Sequence, residues 1–138
     1  TEIHDLSFPE REPRRAICSD IQTPAGPLRV IATHLGLRFR ERHSQALALL
    51  KMLDNFRTNT EVPGHFNDWL WAGSVRRSLG RVLPGYTNHR TFPSACPLFH
   101  LDRVYLWPRT ALVASHTDPE ARKISDHLPV ISDIRLHP

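Results

Sequence analysis

The chain has 138 residues, 40% of them hydrophobic, which sets a single domain with a modest core as the default. Lys and Arg outnumber Asp and Glu by 18 to 14, and the net charge of +4 suits either a phosphate-bearing partner or a domain with Arg-rich surface loops. No apolar run approaches the roughly 18 residues of a membrane-spanning helix, and Cys18 and Cys96 match neither a zinc spacing nor a dense disulfide framework, so both read as ordinary thiols.

The chain opens on Thr1 with neither an initiating Met nor a signal peptide, which leaves the compartment open with the cytoplasm as the default. Residues 1–15 are polar, carry Pro9 and Pro13 and a charge cluster from Glu10 to Arg15, and read as a connector. Residues 16–22 resemble a strand, and Thr23-Pro24-Ala25-Gly26-Pro27 is a strong turn signal. In residues 28–35, Leu28, Val30 and Ala32 alternate with Arg29, Ile31 and Thr33, giving a second strand and a hairpin with a longer loop. That strand ends at His34 and delivers it to a sheet edge.

Residues 41–57 give the clearest helix: Ala46, Leu49, Leu50, Leu53 and Phe56 follow 3-4 spacing, with Arg42, Lys51, Asp54 and Arg57 on other faces. The stripe belongs to the core. Asn59, Thr60 and Glu61 close the element, and Val62-Pro63-Gly64-His65-Phe66-Asn67-Asp68-Trp69 follows as a turn-rich segment. Gly64 would permit an unusual backbone and close approach of a ligand, and Asn67 and Asp68 offer oxygen atoms. A short helix is expected over residues 74–82, with Ser74 as N-cap after Gly73.

Residues 89–97 read as a loop and residues 98–107 as a long strand containing Asp102. An acid there is costly to bury without a partner, and a histidine would serve. A strand over residues 111–116, a charged loop over 117–125 and a last strand over 128–136 complete the chain. Ser125-Asp126-His127-Leu128-Pro129 places an acid beside an imidazole at a strand entrance. Neighbouring strand residues point to opposite faces, so the pair fits best on a sheet rim, where a rigid scaffold can aim both. Taken singly, each motif also has a plain structural reading: a hydrogen-bonded His34, an Asx-type loop at Asn67 and Asp68, a turn-stabilising Asp126.

In order along the chain, these motifs resemble the endonuclease/exonuclease/phosphatase superfamily, the DNase I-like phosphoesterases. The resemblance rests on Arg11-Glu12-Pro13-Arg14-Arg15, Thr33-His34-Leu35, Arg42 and Gln45. It continues through Gly64-His65-Phe66-Asn67-Asp68-Trp69, Thr91-Phe92-Pro93, Leu101-Asp102-Arg103-Val104 and Ser125-Asp126-His127-Leu128-Pro129. It implies an α+β fold, a DNase I-like β-sandwich flanked by helices with the active site at one end. Residues 1–138 would be a single partial domain, the C-terminal half, one sheet plus helices. It also implies roles: His127 on the scissile phosphate, Asp102 orienting His127, His34 holding a phosphate oxygen, Asn67 holding the phosphate or the attacking water, and Asp126 as ligand to Mg²⁺ or Mn²⁺. A hard cation and imidazolium donors would neutralise charge as it builds on a phosphoryl group.

Three departures stand against full activity. His65 occupies the place of an Asp in a Gly-Asp-Phe-Asn motif, although histidine can also accept a proton. The strand leading into that motif looks truncated, because Pro63 and Gly64 follow Val62 directly. The first half of the family pattern, with two early metal ligands, is absent, so part of the metal site is missing and a bare sheet would expose an apolar face. The expected function is a metal-dependent phosphoesterase impaired by His65 and the missing half. The alternative is a non-catalytic phosphate-binding or interaction module. Expected partners are a phosphate ester (nucleic acid, lipid headgroup or small molecule) and either a missing N-terminal half or a second copy of the chain.

Overall fold

The computed structural model describes residues 1–53, 58–69 and 74–137. Among the described residues, eight strands and two α-helices follow in the order β1 (Glu2–Asp5), β2 (Arg15–Thr23), β3 (Gly26–His34), α1 (Phe39–Leu53), β4 (Asn59–His65), α2 (Ser74–Val82), β5 (Gly85–Tyr86), β6 (Asp102–Trp107), β7 (Leu112–Thr117) and β8 (Val130–Ile134). Six strands form one mixed sheet in the order β1-β2-β3-β4-β6-β5, and β7 and β8 pair as a separate two-stranded sheet. The architecture is α+β, as expected.

Both helices cover one face of the large sheet. Ala16, Cys18, Ile31, Val62 and Tyr105 point from the strands into a core that α1 fills with Ala46, Leu49 and Leu53 and α2 with Val75 and Leu79. The 3-4 stripe on α1 is therefore core, and the helix begins two residues before the expected start. Asp54, Phe56 and Arg57 of the expected helix, together with Trp71, Gly73 and the side chain of Ser74, lie outside the described residues.

The opposite face is covered in part. Val104 and Leu106 of β6 pack with Ala111, Leu112, Val130 and Ile134, so the β7–β8 pair lies against the β6 end. Toward β1 the same face shows Ile3 (64% exposed) and Ile17 (48%), residues directly opposite one another in the ladder, with Ile21 further along β2.

Several expectations change. The segment over residues 1–15 is more than a connector: β1 pairs antiparallel with β2, and Leu6 is buried. The β2–β3 hairpin is tight, because Thr23 pairs directly with Gly26 around Pro24 and Ala25. Gly26 takes φ of 122°, and the Thr23 hydroxyl donates to its carbonyl. The strand over residues 98–107 starts only at Asp102.

The strand thought truncated is present. β4 runs parallel to β3 and antiparallel to β6, a central position for a segment containing Pro63. Its ladder to β3 runs from Leu28↔Asn59 to Val30↔Glu61 and resumes at Thr33↔Gly64 and His34↔His65. The interruption falls at Val62 and Pro63, where proline has no N–H to give. On the other side, Pro63 lies opposite Val104 in an unbroken register. Gly64 serves this packing: a Cβ there would stand 2.5 Å from the Thr33 carbonyl oxygen. Close approach is thus to a neighbouring strand.

Candidate functional site

The ends of β3, β4 and β6 and the loop before β8 meet at one corner of the sheet. The ladder sets His34 opposite His65 and His65 opposite Asp102. Asp102 gathers the rest. Its Oδ1 accepts from His65 Nδ1 at 2.8 Å, and its Oδ2 accepts from His127 Nδ1 at 2.7 Å and from the Thr91 hydroxyl at 2.6 Å. The His34 and His127 rings each lie 4.7 Å from that of His65, between them. Three other segments far apart in sequence, those of His65, Thr91 and His127, therefore converge on one carboxylate, with His34 beside His65.

Asn67 completes the corner. It is buried and takes φ of 52°. Its Nδ2 donates to the Leu35 carbonyl at 2.8 Å, and its Oδ1 faces His65 Nε2 at 2.7 Å. Both ring nitrogens of His65 are thus engaged. His127 uses Nδ1 on Asp102, which leaves Nε2 as the nitrogen available to a ligand. The ring of Phe92 packs at 4.8 Å from that of His127.

The electrostatics follow from these contacts. Burial alone would raise the Asp102 carboxyl, but hydrogen bonds from His65, His127 and Thr91 outweigh it and bring it down to about 2. Burial opposes a charge on His65, yet its bonds to Asp102 and Asn67 raise its pKa above the ordinary value. His34 is lowered, first by burial and then by the charges of His65 and Arg14.

Asp126 stands apart. It is exposed, and its carboxylate is outside the group formed by His65, Asp102 and His127. Its backbone carbonyl accepts from the Ser94 N–H at 2.7 Å. Thr91 was not singled out as a site residue by sequence reasoning; the signal available was the cost of burying Asp102, which calls for donors of any kind.

The candidate ligand atoms of His65, Asp102 and His127 lie within 4.8 Å of one another. Their chemistry does not fit Mg²⁺, which asks for near-octahedral oxygen donors. The one carboxylate already accepts three hydrogen bonds, and both His65 nitrogens are committed. The described residues of this chain do not by themselves make a site for Mg²⁺, or for Mn²⁺, which favours oxygen donors too.

Solved structures share this architecture. An endonuclease/exonuclease/phosphatase from Bacteroides vulgatus aligns with a TM-score of 0.79 over 99% of this chain and 64% of its own, at 18% identity. The chain has the endonuclease/exonuclease/phosphatase fold. A mannosyl-6-phosphatase of Bacteroides thetaiotaomicron shares that fold at TM-score 0.72 and 14% identity, covering 98% of this chain and 65% of its own. The uncharacterized protein YbhP of Escherichia coli K12 is 29% identical over 146 aligned residues, 98% of this chain. The chain spans 58% of the length of YbhP. No protein-family model matches the sequence.

Proposed function

We propose that this chain carries the phosphate-recognising part of a phosphoesterase-type site and binds a phosphate ester at the corner formed by His34, His65 and His127. The observation that carries the reading is the convergence of those three imidazoles and Asn67 around Asp102. His127 presents Nε2 to a phosphate oxygen while Asp102 fixes its tautomer and ring plane. His34, at the open side of the cluster, supplies a second donor. Asn67 acts through His65, since its oxygen faces that ring. The fold shared with a mannosyl-6-phosphatase supports a phosphate ester as the ligand class, whether nucleic acid, lipid headgroup or small molecule.

A second reading is a non-catalytic phosphate-binding module. One observation favours it: both nitrogens of His65, the residue that the resemblance sets in place of a water-activating Asp, already face acceptors. Asp126 as a metal ligand belongs to the first reading only, with further ligands supplied from outside this chain.

Hydrolysis of bis(p-nitrophenyl) phosphate and p-nitrophenyl phosphate separates the two readings. A His127→Ala variant should lose about two decades of any turnover and, on either reading, should weaken inorganic phosphate binding in a ³¹P NMR titration. Turnover and phosphate binding both unchanged in that variant would remove the site from this corner.

A further inference from the structure

The place where the resemblance asks for a carboxylate holds His65, whose two ring nitrogens each face an oxygen. The orientation of the Asn67 amide is fixed because its Nδ2 donates to the Leu35 carbonyl at 2.8 Å. The atom facing His65 Nε2, at 2.7 Å, is therefore an acceptor. Asp102 Oδ1, 2.8 Å from His65 Nδ1, is an acceptor as well. A neutral imidazole has one N–H and one lone pair, and would leave one of these acceptors facing a lone pair. Only the doubly protonated ring satisfies both.

The surroundings agree with that charge. Asp102 on β6 gives the ring its counter-charge. His34 on β3 and His127 before β8 flank it. Arg14, just before β2, contributes positive charge, partly offset by its ion pair with Glu12 at 2.7 Å. Thr91 adds a neutral donor. Among the described residues, Asp102 is the single carboxylate of the group that gathers there.

We propose that the imidazolium of His65 does the work of a divalent cation at this corner, so that the chain binds a phosphate group without metal. The proposal rests on the reading that His34 and His127 receive the phosphate. A fixed positive charge between those two donors attracts a phosphate dianion and repels a second cation. With both nitrogens engaged, His65 makes no bond to the ligand. It is a positioning residue that acts through its charge and through the orientation of Asp102 and Asn67.

Three measurements test this. Inorganic phosphate is titrated into the protein in chelator and in Mg²⁺, followed by ³¹P NMR or calorimetry. The affinity should agree within about twofold in the two buffers, and His65→Gln should weaken it about tenfold or more with an unchanged circular dichroism spectrum. The ¹H–¹⁵N imidazole spectrum of the unaltered protein should show both His65 nitrogens protonated at neutral pH. Phosphate binding that requires Mg²⁺, or a singly protonated His65, overturns the proposal and leaves the phosphate-site reading standing. A folded protein that binds no phosphate in either buffer overturns that reading, and the proposal with it. Should His65→Gln fail to fold, the metal comparison and the nitrogen spectrum on the unaltered protein still decide.

Discussion

Replacing Asp102 with Asn tests the centre of the cluster. The carboxylate accepts three hydrogen bonds, at 2.8, 2.7 and 2.6 Å. An amide has one accepting oxygen, so its NH₂ must meet at least one of those donors, and the His65 imidazolium loses its counter-charge. Losing one hydrogen bond to a charged group costs about 1.5–3 kcal/mol. The carboxyl gives an independent figure: a group held at about 2 instead of 3.8 corresponds to about 2 kcal/mol once its partial exposure is allowed for. We expect the variant to be less stable by about 2 kcal/mol at neutral pH, a drop in Tm of roughly 6 °C.

The pH dependence gives the sharper signature. A depressed carboxyl stabilises the fold above its unfolded pKa of 3.8, and that contribution fades as pH falls through about 2. The unaltered chain should show this acid limb in urea unfolding followed by circular dichroism, and Asp102→Asn should lack it. His65 is raised, so its contribution is full below 6.5 and is lost as pH climbs through its folded value. The stability profile should therefore fall on both sides. A variant within about 0.5 kcal/mol of the parent that keeps the acid limb would refute the reasoning.

Three further substitutions probe the supports. Thr91→Val removes a donor to Asp102 and the acceptor for its N–H; unfolding should cost about 1–3 kcal/mol less, and the acid limb should be smaller and end at higher pH. Gly64→Ala drives a Cβ to 2.5 Å from the Thr33 carbonyl, so we expect a loss of about 2–3 kcal/mol in denaturant titration. His65→Asp sets a second carboxylate beside Asp102 and replaces an attraction with a like-charge contact; Tm in chelator should fall, and an unchanged Tm would count against the charge assignment.

How much of this was legible in the sequence varied with how local the cause was. The α1 stripe is a helical repeat of apolar residues, and α2 ends where Pro84 follows, so both could be read. β4 could not. Its sequence, Asn-Thr-Glu-Val-Pro-Gly-His, has no apolar alternation, and what makes it a strand is the backbone of β3 and β6 on either side. β1 is likewise held by register with β2. At the corner, the need of Asp102 for an imidazole follows from the cost of burial. That two imidazoles and a hydroxyl share it depends on chain paths no short motif contains.

The geometry at that corner is fixed by backbone more than by side chains. Leu35 N–H donates to the His65 carbonyl at 2.9 Å, Phe66 N–H to Leu101 at 2.8 Å, and Leu128 N–H to Thr91 at 2.9 Å. Each of these bonds ties together two segments and lies at, or one residue from, a side chain of the cluster: His34 and His65, then His65 and Asp102, then His127 and Thr91. The interruption at Pro63 removes a ladder bond just upstream, and the bonds at Leu35 and Phe66 restore the hold where it matters. Side chains anchored this closely lose little freedom on binding, which is the condition for a small polar cluster to act on a ligand in one geometry. It also explains why short, separately weak motifs can specify one site: each needs only to place a single side chain beside a backbone bond that the sheet already makes.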